Sequence, residues 1–369
     1  MKYAILLLCS IVFLSMSCND DEMIVEPGDL VDIPYDPTPY ELVKPEGFPL
    51  MPIPTDNPMT QEGFELGRRL FYDVRLSKDN SMSCASCHLP ELGFTDATAF
   101  STGVDGEQTR RSSMSLVNVG YFDSGLFWDG RVQTLEEQAL QPVTDAIELI
   151  NTWEVVEEMM KADAEYPEMF REAFGIDDTS EIDSLLAAKA IAQFERALIS
   201  HNSKYDKIIH QRDFDYEWTD SEFRGYLMYI DEGQDLNLPD AQCDHCHMGA
   251  LLTNGLYFNN GIDDYPTLSD YPDKGQGEVT GIVENFGKFK ATTLRNIELT
   301  APYMHDGRFA TLEEVIEHYS TGVHFATNLD SNLESSLNLT ESQKEDLLNF
   351  LKTLTDTEFV ENPAFQNPF

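Results

Sequence analysis

The segments Cys84-Ala85-Ser86-Cys87-His88 and Cys243-Asp244-His245-Cys246-His247 share the pattern C-x-x-C-H, and each half of the 369-residue chain contains one of them. In this pattern the two thiols form thioether bonds to the vinyl groups of a haem, and the adjacent histidine supplies an axial nitrogen to the iron. A structural zinc site would need four ligands in one place, whereas each motif carries its own histidine and lies far along the chain from the other. The two segments therefore predict two covalently bound haem c groups.

The sequence around the first motif (84–88) is repeated, in the same order, around the second motif (243–247). An amphipathic helical pattern precedes each motif, and an Asp-Gly-Arg turn and a Thr-x-x-Glu helix start follow it. The paired segments are 66–73 with 224–231, 115–118 with 293–296, 128–131 with 305–308, and 134–137 with 311–314. Ser180 and Asp183 are predicted to open a further helix, and Thr340 is predicted to open another. We therefore expect a mainly α fold with two cytochrome-c-like domains, residues 59–215 and 216–369, each with one covalently bound c-type haem.

The N-terminus has the pattern of an export signal. Residues 1–17 contain Lys2 and then an apolar run that is too short to span a bilayer. Small residues lead into Cys18, which predicts a lipoprotein acylated on that cysteine; ordinary cleavage with an incidental Cys18 is the alternative. Residues 18–58 are acidic and rich in proline, which predicts a tether. We expect export through the Sec pathway to the cell envelope, on the periplasmic side or the outer surface of the outer membrane, with the lipid as the membrane contact.

The repeat predicts that the two haems differ in their iron ligands. Eight residues beyond the threonine that opens the helix after each Asp-Gly-Arg turn, the second half has Tyr319 and the first half has Pro142. A phenolate can ligate haem iron and proline cannot. The second haem would then be six-coordinate, with His247 and Tyr319, and the first would be bound by His88 alone and have one open face.

Two alternatives to a Tyr319 ligand remain open. Tyr319 is also compatible with an ordinary buried tyrosine on a helix. Met304, beside the second Asp-Gly-Arg turn, is a competing ligand because thioethers ligate the iron of cytochromes c.

Residues near Pro142 predict a site for a small oxidant. An open haem that reduces peroxide needs a group that moves a proton between the two peroxide oxygens and polar groups that favour cleavage of the O–O bond. Asp145 and Glu148 follow Pro142, and a helix kinked at the proline would turn Glu148 towards the pocket. Gln138 is a hydrogen-bond donor one turn earlier. A solvated surface is the competing interpretation for any one of the 66 acidic residues.

These strings resemble the bacterial di-haem cytochrome c peroxidase family, including its MauG type, over about residues 60–355. The resemblance rests on both haem motifs and on segments 66–68, 73–77, 127–131, 194–196, 294–296 and 301–308. It implies a peroxidatic haem in the N-terminal domain and an electron-entry haem in the C-terminal one. It also implies that Glu148 is the catalytic acid/base, that Gln138 lies in the same pocket, and that Trp128 relays electrons between the haems; a packing role for Trp128 is the alternative.

The resemblance also implies a calcium ion between the domains. Two of its ligands match the backbone carbonyls of Thr300 and Pro302. The third is an asparagine side chain in the family and Ser112 in this chain, and a serine oxygen is a weaker calcium ligand than an amide carbonyl. Family members are often homodimers, although this sequence carries no dimer signal of its own.

Two departures from the best-known peroxidases point towards the MauG type. Residues 97–110 contain no histidine, and Val104 stands near the place where those enzymes carry a distal histidine. Tyr319 stands where they carry a methionine. The first departure favours a first haem whose open face needs no activation step, and the second favours a second haem with histidine and tyrosine as ligands.

Charge restricts the partners. With 66 acidic and 24 basic residues the formal net charge is −42, which argues against nucleic-acid binding and against docking on an anionic membrane surface. The sequence thus predicts a peroxidase that reduces hydrogen peroxide to water with electrons from a small basic-faced cytochrome c or cupredoxin. Two alternative functions remain open. One is a MauG-like oxidase that modifies a partner protein, and the other is a non-enzymatic di-haem electron-transfer lipoprotein.

Overall fold

We analysed a computed structural model that describes residues 28–369. The predicted signal peptide and the predicted lipid site at Cys18 lie outside the described residues. The fold is mainly helical, as predicted, and its helices are α1 (Gln61–Tyr72), α2 (Leu135–Ala139), α3 (Gln141–Thr144), α4 (Trp153–Ala162), α5 (Tyr166–Phe174), α6 (Ser184–Arg196), α7 (Lys204–Ile209), α8 (Asp220–Tyr229), α9 (Gln276–Thr280), α10 (Leu312–Glu317), α11 (Glu341–Lys352) and α12 (Thr357–Val360).

The structure also contains a short antiparallel sheet of two strands. Strand β1 (Tyr257–Phe258) pairs with β2 (Phe289–Lys290), with Tyr257 opposite Lys290 and Phe258 opposite Phe289. The sequence contained no convincing hairpin, because each strand has only two residues and their partners lie about thirty residues apart.

Side-chain caps fix where the main helices begin. The Thr219 side chain accepts a hydrogen bond from the backbone N–H of Glu222, and Thr340 caps α11 in the same way. Asp183 caps α6, as expected, whereas Ser180 lies in a separate one-turn segment just before it.

The two halves repeat the same close helix crossing. A Cβ atom added at Gly67 of α1 would lie 1.9 Å from the carbonyl oxygen of Ala190 in α6. A Cβ atom added at Gly225 of α8 would lie 2.0 Å from the carbonyl oxygen of Asp346 in α11. Since no real side chain tolerates such distances, glycine is required where each pair of helices crosses. These crossings place the helix before each haem motif against the later helix of the same half.

The hydrophobic core is largest in the N-terminal half. The faces of α1 and α6 that meet carry fully buried side chains, among them Leu66, Leu70, Phe71, Ile191 and Phe194. Burying one such side chain is worth about 1.5–3 kcal/mol. A smaller cluster around Phe350 lies between α8 and α11.

Both ends of the described chain pack on the N-terminal half. Leu30 is 6% exposed and donates its backbone N–H to the Asp177 carbonyl at 3.1 Å. The Tyr72 hydroxyl donates to the Phe365 carbonyl at 2.7 Å. Residues 28–58 therefore lie along the folded body, because Leu30 and the residues after it find apolar and backbone partners there. The tether predicted for residues 18–58 stays a prediction, because residues 18–27 lie outside the described residues.

Buried ion pairs join the N-terminal and C-terminal halves. Arg295 has no exposed side-chain surface and forms two hydrogen bonds, of 2.7 and 2.8 Å, with the Asp206 carboxylate. The Arg295 guanidinium also lies 4.7 Å from the centre of the Phe48 ring, so the N-terminal segment contacts the C-terminal half.

Among residues 28–369, every helix is too short or too polar to cross a membrane.

Candidate active site

The first haem motif forms a tight turn against α1. The backbone N–H groups of Cys87 and His88 both donate to the Cys84 carbonyl, at 3.2 and 3.1 Å. The His88 ring places Nδ1 2.8 Å from the Phe94 carbonyl. A hydrogen bond at Nδ1 fixes the ring and leaves Nε2 for an iron, which is the arrangement that axial histidines require.

A cavity opens beside this turn and collects the residues that the sequence predicted for the oxidant site. The empty space there is about 570 Å³, which includes open solvent at the mouth of the cavity. Its walls include both thiols and His88, and they also include Gln138, Pro142 and Glu148. Two free thiols, a neutral imidazole and an apolar cavity between them are the groups that a covalently bound haem needs, so these residues fit the cofactor.

Glu148 has the electrostatics of a proton carrier. Burial raises the pKa of Glu148 to about 7, and the nearby Asp145 carboxylate adds to the rise, while Arg131 opposes it. The Asp145 side chain accepts hydrogen bonds from the backbone N–H groups of Ile147 (2.8 Å) and Glu148 (3.2 Å), so it holds the turn that carries Glu148. A carboxyl group with this pKa exists in both protonation states near neutral pH.

The loop that lacks a distal histidine packs directly on this turn. The Val104 backbone N–H donates to the Glu148 carbonyl at 2.9 Å. A Cβ atom added at Gly103 would lie 1.7 Å from the Ile147 carbonyl oxygen. The loop and the Glu148 turn therefore touch through their backbones.

The second haem motif is held in a similar way. The Nδ1 atom of His247 lies 2.9 Å from the Thr292 carbonyl. Burial lowers the pKa of His247 to about 4, so the ring is neutral, which is the form that binds iron. The Tyr229 hydroxyl donates to the His247 carbonyl.

Both candidate iron ligands of the second site meet at one asparagine. The Asn260 side-chain amide lies 3.3 Å from the Tyr319 hydroxyl and 3.5 Å from the Met304 sulfur. Burial raises the pKa of Tyr319 to about 12, and the thiols of Cys246 and Cys243 contribute to the rise. The geometry leaves the choice between Tyr319 and Met304 open.

The backbone around Tyr319 is wider than an α-helix. Helix α10 continues into a π-helical turn, His318–Gly322, that carries Tyr319. The corresponding helix of the first half, α2, ends at Ala139, and a separate short helix carries Pro142. Single π turns occur frequently at functional sites.

Trp128 lies where the two halves meet. Its indole N–H donates to the Ser112 carbonyl at 2.9 Å, and its ring centre is 6.5 Å from that of His305. His305 in turn stacks on Phe289, with ring centres 3.6 Å apart. Aromatic rings therefore line the junction between the two halves.

The chain is similar in sequence to known proteins. The family model for di-haem cytochrome c peroxidases matches residues 61–213. Cytochrome c551 peroxidase of Nitrosomonas europaea is 34% identical over 87% of this chain and 86% of that protein. The chain belongs to the di-haem cytochrome c peroxidase family.

Other members and structures of this family are also similar. Cytochrome-c peroxidase IdrP1 of Pseudomonas sp. (strain SCT) is 32% identical over 84% of this chain and 85% of its own length. The crystal structure of a MauG-like protein associated with microbial copper homeostasis superposes with a TM-score of 0.80, at 35% identity over 89% of this chain and 99% of that chain. The diheme peroxidase BthA from Burkholderia thailandensis, at 20% identity over 90% of this chain and 98% of its own chain, has a TM-score of 0.68 and shows the shared fold.

Membership confirms the predicted family and enzyme class. The protein is an oxidoreductase of the cytochrome-c peroxidase type, and the family's haem c groups account for the two C-x-x-C-H motifs. The roles of individual residues at the two sites stay predictions.

The predicted calcium site stays a prediction. The Ser112 hydroxyl donates to the Met304 carbonyl at 2.8 Å, and the other two predicted ligands are the backbone carbonyls of Thr300 and Pro302. Pro302 follows Ala301 at the start of the turn that contains Met304. Among residues 28–369, no group of three or more His, Cys, Asp or Glu side chains is arranged to hold a metal ion.

Sequence reasoning missed one acidic residue of the first cavity. Glu195 lines the cavity, is 4% exposed, and its Oε2 atom has no hydrogen-bond partner among the described residues. Burial raises the pKa of Glu195 to about 8, so the side chain is mostly neutral at pH 7. The signal was present in the sequence, because an acidic residue four positions after Ile191 falls on the apolar stripe of α6.

Proposed function

We propose that the protein reduces hydrogen peroxide to water at the first haem motif, with electrons that enter at the second. The observation that carries the proposal is the difference between the two sites. Pro142 and Glu148 line the cavity at the first motif, whereas the second half has two candidate iron ligands, Tyr319 and Met304, that share contacts with the Asn260 amide. A site with an open iron position suits a small oxidant, and a site with two protein ligands suits electron transfer.

The side chains of the first cavity would divide the chemistry as follows. A haem held by Cys84, Cys87 and His88 would supply the position where peroxide binds and the electrons that reduce it. Glu148 accepts the proton of one peroxide oxygen and delivers it to the other, which leaves as water. Gln138 donates a hydrogen bond that orients the oxidant. In total, one peroxide takes up two electrons and two protons and yields two water molecules.

Trp128 would carry electrons between the two sites. Its ring lies at the junction of the halves, and its backbone carbonyl accepts a hydrogen bond from Lys290 of β2 at 3.0 Å. Because the chain has a net charge of −42, the donor would be a small redox protein with a basic contact face. Ligation by Tyr319 would stabilise ferric iron and lower the potential of the second haem relative to a methionine ligand.

Optical and EPR spectra of the resting ferric protein test the proposal. A high-spin signal from the first haem and a low-spin signal from the second are expected. A steady-state assay with a reduced small cytochrome should show turnover that depends on peroxide. Spectra that are entirely low-spin and do not respond to peroxide or cyanide would instead identify a non-enzymatic electron-transfer protein.

A second candidate function is peroxide-dependent oxidation of a partner protein. Two observations favour it: Tyr319, a candidate iron ligand, is buried beside Asn260, and the similar structure at 35% identity is a MauG-like protein. Such an enzyme would keep two oxidising equivalents after one equivalent of peroxide and react poorly with small donors. Fast turnover of small donors would contradict this second function and support the first.

We also propose that the protein is an envelope lipoprotein attached to the membrane through Cys18. The sequence before Cys18 supports this proposal. Fractionation of cells should place the wild-type protein with membranes and the Cys18→Ala variant in a soluble fraction or in unprocessed form. Recovery of mature wild-type protein in the soluble fraction would contradict lipid attachment.

A further inference from the structure

Helix α6 carries an acidic side chain into the first cavity. Glu195 lines that cavity together with Cys84 and Glu148, and only 4% of its surface is exposed. Within residues 28–369, its Oε2 atom has no hydrogen-bond partner. Buried polar groups are nearly always paired, so each exception in a folded protein needs a physical explanation. Because burial of an unpaired carboxylate is costly, we expect this side chain to be neutral.

The positive charge next to Glu195 is paired with a different acid. Two guanidinium nitrogens of Arg196 lie 2.8 and 3.0 Å from the carboxylate oxygens of Glu136 in α2. Glu136 also accepts a hydrogen bond from the Asn57 side-chain amide at 2.6 Å. Burial acts to raise the pKa of Glu136, but these contacts outweigh it and hold that pKa below its usual value. Arg196 therefore stabilises the charge of Glu136 and leaves Glu195 without a paired cation.

Glu195 consequently keeps its proton at neutral pH. Burial raises the pKa of Glu195 to about 8, while the Arg196 charge opposes the rise and the Glu136 charge adds to it. Burial also raises the pKa of Glu148, on the opposite side of the chain's first haem motif, to about 7. At pH 7 the cavity therefore holds one carboxyl that is divided between two protonation states and a second, more deeply buried, that mostly carries a proton.

Reduction of peroxide needs protons that Glu148 does not supply. Each peroxide takes up two electrons and two protons in forming two water molecules. When Glu148 moves a proton from one peroxide oxygen to the other, the O–O bond breaks and one water leaves, but no proton enters the site from outside. The remaining oxygen needs the two electrons of the donor and two further protons before it leaves as the second water.

We propose that Glu195 is a proton-supplying residue of the first cavity. Its carboxyl O–H bond breaks as electrons from the donor reach the site, and the proton forms one O–H bond of the second water. Solvent supplies the other proton and afterwards reprotonates the Glu195 carboxylate. This proposal deepens the proposed peroxidase function and rests on it for the oxidant and the electrons.

Infrared difference spectra test the protonation of Glu195 without peroxide. The C=O stretch of a neutral carboxyl has a frequency distinct from those of a carboxylate and an amide, and it responds to a change of charge nearby. Spectra of the haem-loaded protein are recorded at pH 7, reduced minus oxidised. We expect a neutral-carboxyl band that persists in Glu148→Gln and disappears in Glu195→Gln. Wild-type and Glu195→Gln spectra that agree in this region would overturn the proposal.

Steady-state kinetics separate the roles of the two acids. Because Glu195 acts after the O–O bond has broken, Glu195→Gln should lower kcat and leave kcat/KM for peroxide unchanged. We expect kcat to fall by about 10²-fold, the lower end of the contribution of a positioned acid or base. Glu148→Gln should instead lower kcat/KM. Glu154→Gln changes an exposed acid of α4 outside the cavity and is the matched control.

An unchanged kcat in Glu195→Gln, or equal falls in kcat and kcat/KM, would overturn the role of Glu195. If the glutamine variant does not load haem, Glu195→Asp decides, since it keeps a carboxyl at this position. Its infrared band should differ in frequency from that of the wild type, and an unshifted band would overturn the proposal. Absence of peroxidase turnover in every variant would count against the proposed function, whereas the infrared spectra still decide whether Glu195 holds a proton that responds to reduction.

Discussion

Replacement of Glu148 with glutamine should separate proton transfer from the other properties of the first site. Glutamine has the same size and remains polar, but it cannot accept a proton from peroxide. General acid–base catalysis contributes about 10²–10⁴-fold, so kcat/KM for peroxide should fall by roughly that factor. The low-spin signal of the second haem should not change, because Glu148 lines the first cavity.

The dependence of the rate on pH follows from the pKa of Glu148. A rise from 4.5 to about 7 means that the site favours the neutral carboxyl by about 3 kcal/mol, at about 1.36 kcal/mol per pKa unit. The carboxylate, which accepts the first proton, is populated above the pKa. Its fraction is about 10% at pH 6 and about 90% at pH 8, so kcat/KM should rise roughly tenfold between these pH values.

Two further variants shift this pH profile in opposite directions. Asp145→Asn removes the negative charge that raises the pKa of Glu148 but keeps a carbonyl oxygen for the two backbone N–H groups. The rising limb should therefore move to lower pH. Arg131→Gln removes the positive charge that lowers the pKa of Glu148, and its limb should move to higher pH.

The assay is steady-state oxidation of a reduced donor at varied peroxide concentration, from about pH 5.5 to pH 8.5, which spans the pKa by about 1.5 units on each side. Haem content is matched between variants by optical absorbance. If Glu148→Gln keeps more than about a tenth of the wild-type kcat/KM, or keeps the same rising limb, then Glu148 is not the proton carrier.

Three other predictions address the second site, the junction and the donor. Tyr319→Phe should abolish the low-spin EPR signal and Met304→Leu should keep it; the opposite pattern would make Met304 the ligand. Asp206→Asn leaves the fully buried Arg295 without its carboxylate, so urea denaturation should show a free energy of unfolding lower by about 3–5 kcal/mol, whereas a loss below about 1 kcal/mol would contradict a tight buried pair. Donor oxidation should slow as ionic strength rises, because a net charge of −42 attracts a basic donor, and a rate that is independent of salt would remove the electrostatic argument.

Features set by local sequence could be predicted. The C-x-x-C-H motifs, the Thr-x-x-Glu and Asp183 helix starts and the helical pattern depend on residues close together in the chain, and the structure has these elements where expected. The repeat extended this reasoning to three dimensions. It predicted that Pro142 and Tyr319 occupy related places. Pro142 lines the cavity at the first haem motif, and a place for Tyr319 at the second iron stays a prediction.

Features set by distant pairs could not be predicted. Leu30 packs against the chain near Asp177, and Ser112 binds the Met304 turn of the other half. The sequence around Leu30 or Ser112 does not predict either of these distant contacts. Glu195 illustrates a different limit. An acidic residue on the apolar stripe of a helix is predicted to be buried. Whether it faces a neighbouring cation or a cavity depends on tertiary packing.

If Cys18 carries lipid, the packing of Leu30 limits the distance between the folded body and the membrane. From Cys18 to Leu30 the chain has twelve peptide steps, which span at most about 40 Å when fully extended. With lipid on Cys18, as proposed, the folded body would stay within about one protein diameter of the bilayer. A donor anchored in the same membrane would then be present at a high effective concentration. A donor free in solution would first have to diffuse to the membrane surface, where the negative charge of the enzyme would act on it.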